Sequence, residues 1–390
     1  MKDFLHRLQR LKLARFFHMM GMSVFFILLL FPILLLAVPD RSYSSAEKRN
    51  LTQFPIPSID SIVDTSYMDS FEEYLADQFP LRNTWMTLKT GADRLLGKYE
   101  SQGVYIGKNN TLMERFDAPD AENERLTQQA ICDFANRYPD IPAYFVLVPN
   151  QISIQKELIP DEAPRADQFA YMDEMFQAVG ETVHAVDLRA LFEENADTTQ
   201  LYYRTDHHWT TDAAYLAYKE LARVMEMTVD DTEWSSAIVC NSFKGSLASK
   251  SGFGIPKKAC DIIKVYQSTK QPEYLVTYGE TQTKSASCYQ MEYLDSDDPY
   301  QIFFGGNHTQ VTIETTADTN RKLLVFKDSY ANCFLPFLFN EFKYITVVDP
   351  RYYYDDIDTL MLMNSYTDIL YLYNVNTFSE DNNLRLVLGE

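Results

Sequence analysis

The chain has 390 residues, enough for one large domain or two modest ones with a sizeable core. Hydrophobic residues make up 46% and aromatic residues 14% of it, which excludes a disordered or fibrous protein. The formal net charge of -20 argues against a nucleic-acid partner, which needs a basic stripe, and reads as a solvated acidic surface.

The first 38 residues oppose that balance, with Lys2, Arg7, Arg10, Lys12 and Arg15 against Asp3. Residues 1–15 read as a cytoplasmic tail. Phe16–Val38 then runs without Asp, Glu, Lys or Arg, long enough for a transmembrane helix. The basic flank predicts a cytoplasmic N-terminus and an extracytoplasmic body, localised to the cell membrane as a single-pass protein. A cleaved signal peptide is the rival, although Leu36-Ala37-Val38-Pro39 matches a small-x-small cleavage site poorly.

Residues 39–102 read as a tether and a helical juxtamembrane segment. Asp40–Ser61 is rich in Ser, Pro and charge, and predicts an extended tether. Apolar spacing predicts helices over Ser66–Phe79 and Asn83–Leu96, the second burying Trp85, Leu88, Leu95 and Leu96. Gly97 suits a C-cap, and Asp77 and Arg82 flank the break between the helices.

The main domain is expected over 103–390. Gly103–Gly107, Ala143–Val148, Val183–Leu188, Leu323–Phe326, Tyr344–Val348 and Ile369–Tyr373 read as strands. Thr211–Met225 and Asn332–Phe339 read as helices. The alternation predicts an α/β fold, a mostly parallel sheet with helices on both faces. Residues from about 232 to 320 break it and read as an irregular, β-leaning insertion holding a Lys-rich patch at Lys257-Lys258. Ligands of such folds bind beyond the carboxyl ends of strands.

Five cysteines, none in a zinc-ligand spacing, exclude a disulfide scaffold and leave one candidate bridge, Cys240–Cys260; Cys333 reads as a free buried thiol. Six histidines are present, and His184, His207, His208 and His308 lie beyond the apolar segment. Two are adjacent in Tyr203-Arg-Thr-Asp-His-His-Trp-Thr210. If this stretch is extended, Asp206 and His208 share a face and His207 points away. An acid beside an imidazole is the orienting pair of a nucleophile triad. A helix N-terminus capped by Thr205 or Asp206, or a packed core histidine, accounts for the same spacing. Trp209 reads as a core anchor.

Ser329 is the candidate nucleophile, because Phe326-Lys-Asp-Ser-Tyr-Ala331 ends a strand and begins a helical pattern. The amides of Ser329 and Tyr330, with Gly306 or Asn307 of Gly305-Gly306-Asn307, are oxyanion-hole candidates. A capping serine and a tight turn are the plain alternatives. His207 and His308 are candidates to face substrate. A metal site at Asp206, His207 and His208 is disfavoured by the expected divergence of the histidines, and no metal or cofactor is expected.

With Thr205-Asp-His-His-Trp209 and Lys327-Asp-Ser-Tyr330, the chain resembles the DHHW protein family of bacteria. That family looks related to the alginate O-acetylation proteins and to SGNH (GDSL-type) hydrolases. Residues 45–55, Asp77–Arg82, Val104–Gly107, Phe304–Asn307 and Val348–Tyr352 also resemble family positions. The resemblance implies an SGNH-like fold and a triad of Ser329, His208 and Asp206. Lys327 departs from the usual glycine. Asp and His precede Ser, an order shared with the alginate proteins.

The expected function is a membrane-anchored extracytoplasmic O-acyltransferase, O-acetyl in the first instance, or acyl esterase on a cell-surface or exported polysaccharide. Tyr202, Tyr203, Tyr352, Tyr353 and Tyr354 are candidates to stack sugars, or to fill core. The resemblance also implies a multipass membrane acyl-transfer partner, since no acetyl-CoA motif appears. The alternative is a non-catalytic polysaccharide-binding or scaffold subunit of an acylation complex.

Overall fold

The computed structural model describes residues 15–26, 30, 38–44, 49–63, 66–161, 163–256 and 259–389. The expected cytoplasmic tail lies outside them except for Arg15, as do residues 27–29 and 31–37 of the apolar run, residues 45–48, and Lys257-Lys258. Residues 15–26 are helical, and no helix among the described residues is long and apolar enough to cross a membrane.

The chain forms two compact units, Met1–Lys89 and Thr90–Glu390. In the first, the tether is tied down by side chains at the end of helix Ser66–Asp77. Asp77 accepts from the Thr52 amide at 2.9 Å, and Gln78 donates to the carbonyls of Arg41 and Thr52 at 2.9 and 3.0 Å. Ile59–Val63 is helical rather than extended. The second expected helix forms over Arg82–Leu95, but Trp85, Leu88, Leu95 and Leu96 are exposed, contrary to expectation. Helical spacing marks an amphipathic face without specifying that anything covers it.

The second unit holds an eight-stranded sheet, numbered here in chain order: β1 Ala143–Val148, β2 His184–Val186, β3 Tyr274–Tyr278, β4 Lys284–Ser285, β5 Gln310–Thr315, β6 Lys322–Lys327, β7 Tyr344–Val348 and β8 Asp368–Asn374. The spatial order is β4-β3-β5-β7-β6-β8-β1-β2. From β7 to β2 all pairings are parallel; β4, β3 and β5 add antiparallel pairings. The expected mostly parallel sheet is therefore mixed, with four parallel and three antiparallel pairings. The expected insertion is corrected too, because β3, β4 and β5 belong to the central sheet. Its remainder includes an antiparallel pair, Trp234–Phe243 with Asp261–Ser268.

Alternation within the strands explains their uniformly apolar sequences. Tyr144, Val146 and Val148 of β1 enter one core, with Leu323, Val325, Leu370 and Leu372. Ala143, Phe145 and Leu147 enter the other, with Leu324, Phe326, Ile369 and Tyr371. A strand covered on both faces needs no polar alternation. Helix α1 (Ala121–Arg137) supplies Ile131 and Phe134, and α2 (Gln168–Val179) supplies Met172 and Met175, to the second core. Helix α3 (Thr211–Val224) presents Ala213, Ala214, Ala217 and Leu221 to the first. The expected helix after Ser329 is a short α-turn, Ala331–Phe334, followed by a 3-10 turn, Leu335–Leu338.

All five cysteines are free, so the candidate Cys240–Cys260 bridge is absent. The register pairs Cys240 with Ile263 and Phe243 with Asp261, which leaves Cys260 beyond the paired strand and away from Cys240.

Candidate functional site

Ser329 follows β6 at the carboxyl end of the parallel strands, where α/β sheets hold their ligands. Its hydroxyl oxygen lies 2.7 Å from His208 Nε2, and His208 Nδ1 lies 2.5 Å from Asp206 Oδ1. A carboxylate at Nδ1 fixes the proton there and leaves Nε2 free to accept from the serine. Asp206 and His208 are buried, while Ser329 is half-buried and reachable.

The expected proximity of Asp206 and His208 is present, but strand alternation does not produce it. Residues 204–208 form a bend, closed by a Tyr202–Trp209 bridge and by the Thr210 amide donating to the Leu201 carbonyl at 2.8 Å. Asp206 Oδ1 accepts from the His208 amide at 3.0 Å, a local turn that brings the ring back to the carboxylate. Because the segment is bent, His207 does not point away: its ring lies 3.9 Å from that of His208. The N-cap of α3 is Thr210, not Thr205 or Asp206.

Asp206, His207 and His208 consequently bring ligand-type atoms within 4.8 Å of one another. Protein partners already engage them. His207 Nδ1 is 2.7 Å from Ser246 Oγ, and His208 Nδ1 faces Asp206.

Three residues without an assigned role in the sequence complete the frame. Ser246 donates to Asp206 Oδ2 through its amide and hydroxyl at 2.7 and 2.9 Å. Its neighbour Gly245 is needed for close approach, because a Cβ there would fall 2.1 Å from that of Asp206. Buried Asp261 accepts from the amides of Arg204 and Thr205 at 3.0 and 2.9 Å, clamping the bend. Tyr300 stacks on the His208 ring at 3.8 Å and donates to the Ser329 carbonyl at 3.4 Å. Ser246 follows Gly245 in Phe243-Lys-Gly-Ser-Leu247, a pair that marks a turn but not a role; Asp261 and Tyr300 carry no signal of their own.

The two halves are laced together. Trp209, fully buried as expected, donates to the Tyr330 carbonyl at 2.9 Å, and the Tyr330 hydroxyl donates to the His207 carbonyl. Burial, assisted by the neighbouring His207, pushes the His208 pKa down to about 4 against the pull of Asp206. The imidazole is therefore neutral near pH 7 and able to take a proton.

The oxyanion candidates divide. The Tyr330 amide is taken by Asp328 Oδ1 at 2.8 Å, and the Gly306 amide by the Phe303 carbonyl at 3.2 Å. These two expectations are corrected, since a donor already bound to protein is not offered to substrate. Among the described residues no hydrogen bond engages the Ser329 amide or the side-chain nitrogen of Asn307. Asn307 follows a turn in which Phe304, Gly305 and Gly306 all have positive φ, of 61°, 78° and 107°. His308 is turned to other partners, its Nε2 2.9 Å from the Phe304 carbonyl and its Nδ1 3.5 Å from Glu280, and it lines a cavity with Tyr278, Glu280 and Tyr293. Of the tyrosines considered for sugar stacking, Tyr202, Tyr203 and Tyr353 are buried in the core, whereas Tyr352 and Tyr354 are exposed.

Comparison with known proteins bears on the fold and the family. The fold resembles a DHHW family protein from Eubacterium siraeum, with a TM-score of 0.64 and 21% identity over 74% of this chain and 95% of that one. It also resembles Bacillus cereus PatB1, with a TM-score of 0.61 and 18% identity over 72% and 98%. In sequence, the chain is 25% identical over 184 residues to a protein named as the probable alginate O-acetylase AlgJ of Pseudomonas syringae pv. tomato. That match covers 44% of this chain and 46% of AlgJ, so it spans about half of the relative's length. The model of the SGNH hydrolase-like domain of the acetyltransferase AlgX matches residues 105–304, which include Asp206 and His208 and end before Asn307, Lys327 and Ser329. The match covers just over half of the chain, and the chain belongs to this SGNH hydrolase-like family.

Proposed function

We propose that the protein is an O-acyltransferase, O-acetyl in the first instance, or an acyl esterase, acting on a cell-surface or exported polysaccharide through Ser329, His208 and Asp206. The observation that carries this reading is the continuous contact from Asp206 Oδ1 to His208 Nδ1 at 2.5 Å and from His208 Nε2 to Ser329 Oγ at 2.7 Å. Kinship with the AlgX domain family and with AlgJ, named for alginate O-acetylation, supports the reaction class.

Ser329 Oγ attacks the acyl carbonyl carbon while His208 Nε2 takes the hydroxyl proton. The carbonyl oxygen becomes an oxyanion, met by the Ser329 amide and the Asn307 side-chain nitrogen. His208 returns the proton to the leaving group as the ester or carrier bond breaks, leaving acylated Ser329. A sugar hydroxyl then gives its proton to His208 and attacks the acyl-enzyme, and His208 passes that proton to the departing Ser329 Oγ, restoring the serine; water in that place gives hydrolysis. Asp206 fixes the imidazole and stabilises its charged form in both halves. The uncharged run Phe16–Val38 supports anchoring in the membrane with the body outside, where an exported glycan and a multipass acyl donor protein are both within reach.

A serine-reactive fluorophosphonate should form an adduct mapped by peptide mass spectrometry to Ser329, and only in folded protein. Absence of the adduct would favour the non-catalytic, polysaccharide-binding role.

The pH dependence follows from the lowered histidine. As pH falls through about 4, His208 becomes protonated and Ser329 loses its base. The acid limb of kcat/KM for an aryl acetate is expected near that value rather than near the ordinary 6.5. His207→Gln removes a neighbour that lowers the pKa, so the limb should move to higher pH. A limb that stays fixed would separate His207 from the titration of His208.

A further inference from the structure

We infer that Lys327 is a positioning residue for the oxyanion hole: from the end of β6 it grips the side-chain oxygen Oδ1 of Asn307 and so turns the side-chain amide nitrogen toward the reacting carbonyl. This inference rests on the serine mechanism above and assigns it a further residue.

Lys327 is buried, with its Nζ 2.8 Å from Asn307 Oδ1 and 3.1 Å from Asp349 Oδ2. Asn332 Nδ2 donates to the same Asn307 oxygen at 3.1 Å. Two donors on one end of a side-chain amide fix which end is oxygen, and the nitrogen must face the other way. A cationic donor also draws electron density from the amide, which makes its N–H groups better donors to an anion.

The lysine is itself held. Asp349 lies at the end of the adjacent parallel strand β7, and Arg351 grips it bidentately at 2.8 and 2.7 Å. The Asp349 amide donates to the Thr309 carbonyl at 3.2 Å, tying the same turn to the sheet. Burial pushes the Lys327 pKa down and Asp349 opposes this; burial would raise Asp349, but Lys327 and Arg351 outweigh it and hold the carboxyl below its ordinary value. Lys327 stands where the resembled hydrolases carry glycine. A glycine has no side chain to reach Asn307, so the substitution adds a support to a turn whose Phe304 occupies a left-handed conformation unusual for a residue with a Cβ.

A double-mutant cycle in the full-length protein tests this, with Lys327→Met and Asn307→Ala assayed on an aryl acetate. Asn307→Ala should lower kcat by about 10²–10³-fold. Lys327→Met should lower kcat by about 10- to 100-fold with KM changed by less than about twofold. In the Asn307→Ala background the same lysine change should cost less than about twofold, because its only route to the reaction is gone. A merely structural lysine would cost the same in both backgrounds, and that result would overturn the assignment while leaving the serine mechanism intact. Lys327→Gln, with a shorter donor side chain, serves as the companion if the methionine variant does not fold. Wild-type protein without Ser329-dependent turnover would overturn the assignment and the mechanism together.

Discussion

Ser329→Ala is expected to lower turnover of an aryl acetate by about 10⁴-fold or more, with the fold unchanged. The hydroxyl is the only atom removed, and its described partner is His208 Nε2. The backbone contacts of the residue survive, since the Asn332 amide and the Tyr300 hydroxyl both reach the Ser329 carbonyl rather than its side chain. Stability measured by denaturant unfolding should therefore stay within about 1 kcal/mol of wild type. Because triad members act as a unit, adding His208→Ala to Ser329→Ala should reduce the rate little further. A single Ser329→Ala protein retaining more than about a tenth of wild-type activity in the same assay would remove the serine mechanism.

Asp206→Asn carries the second large effect, for a different reason. Both carboxylate oxygens accept: Oδ1 from the His208 amide and ring, Oδ2 from the amide and hydroxyl of Ser246. An asparagine must point its NH₂ at one of those sets. Toward His208 it forces the wrong tautomer and also faces the His208 amide, so turnover should fall by about 10⁴-fold with a stability cost besides. Toward Ser246 it sets two donors face to face in a buried place, with a stability cost of about 1–3 kcal/mol. Initial rates and unfolding curves separate the two outcomes. Full activity with unchanged stability would show that Asp206 neither orients the imidazole nor anchors the Ser246 loop.

The parallel core of the fold was legible because strands covered on both faces must be apolar throughout. Ala143–Val148 and Tyr344–Val348 appear with the expected bounds. The antiparallel half was not. Gln310–Thr315 does alternate buried and more exposed residues, but nothing in those six residues says that the strand lies between two others of the central sheet. At the site, Asp206, His208 and Ser329 were legible because their chemistry is written in their side chains. Asp261 and Tyr300 were not, because a carboxylate that clamps a bend and a ring that lies on an imidazole are ordinary residues until the chain is folded. His207 shows the converse error: the alternation rule was sound, but the segment it was applied to is bent. Lys327 was visible as a departure from a motif, but its contact with the Asn307 side chain became visible only in the folded chain.

The reciprocal lacing of Trp209 and Tyr330 bears on how the molecule folds. The two residues are 121 positions apart in the chain, as are His208 and Ser329. Contacts of such separation are slow to form, because the entropy of closing the intervening loop is lost before any contact compensates for it. The intervening segment contains β3, β4 and β5, so His208 meets Ser329 only after much of the sheet has found its register. During synthesis the Asp-His pair emerges well before its serine. On the proposed mechanism a nascent chain would carry an inert imidazole, and reactivity toward esters would be a signature of completed tertiary structure.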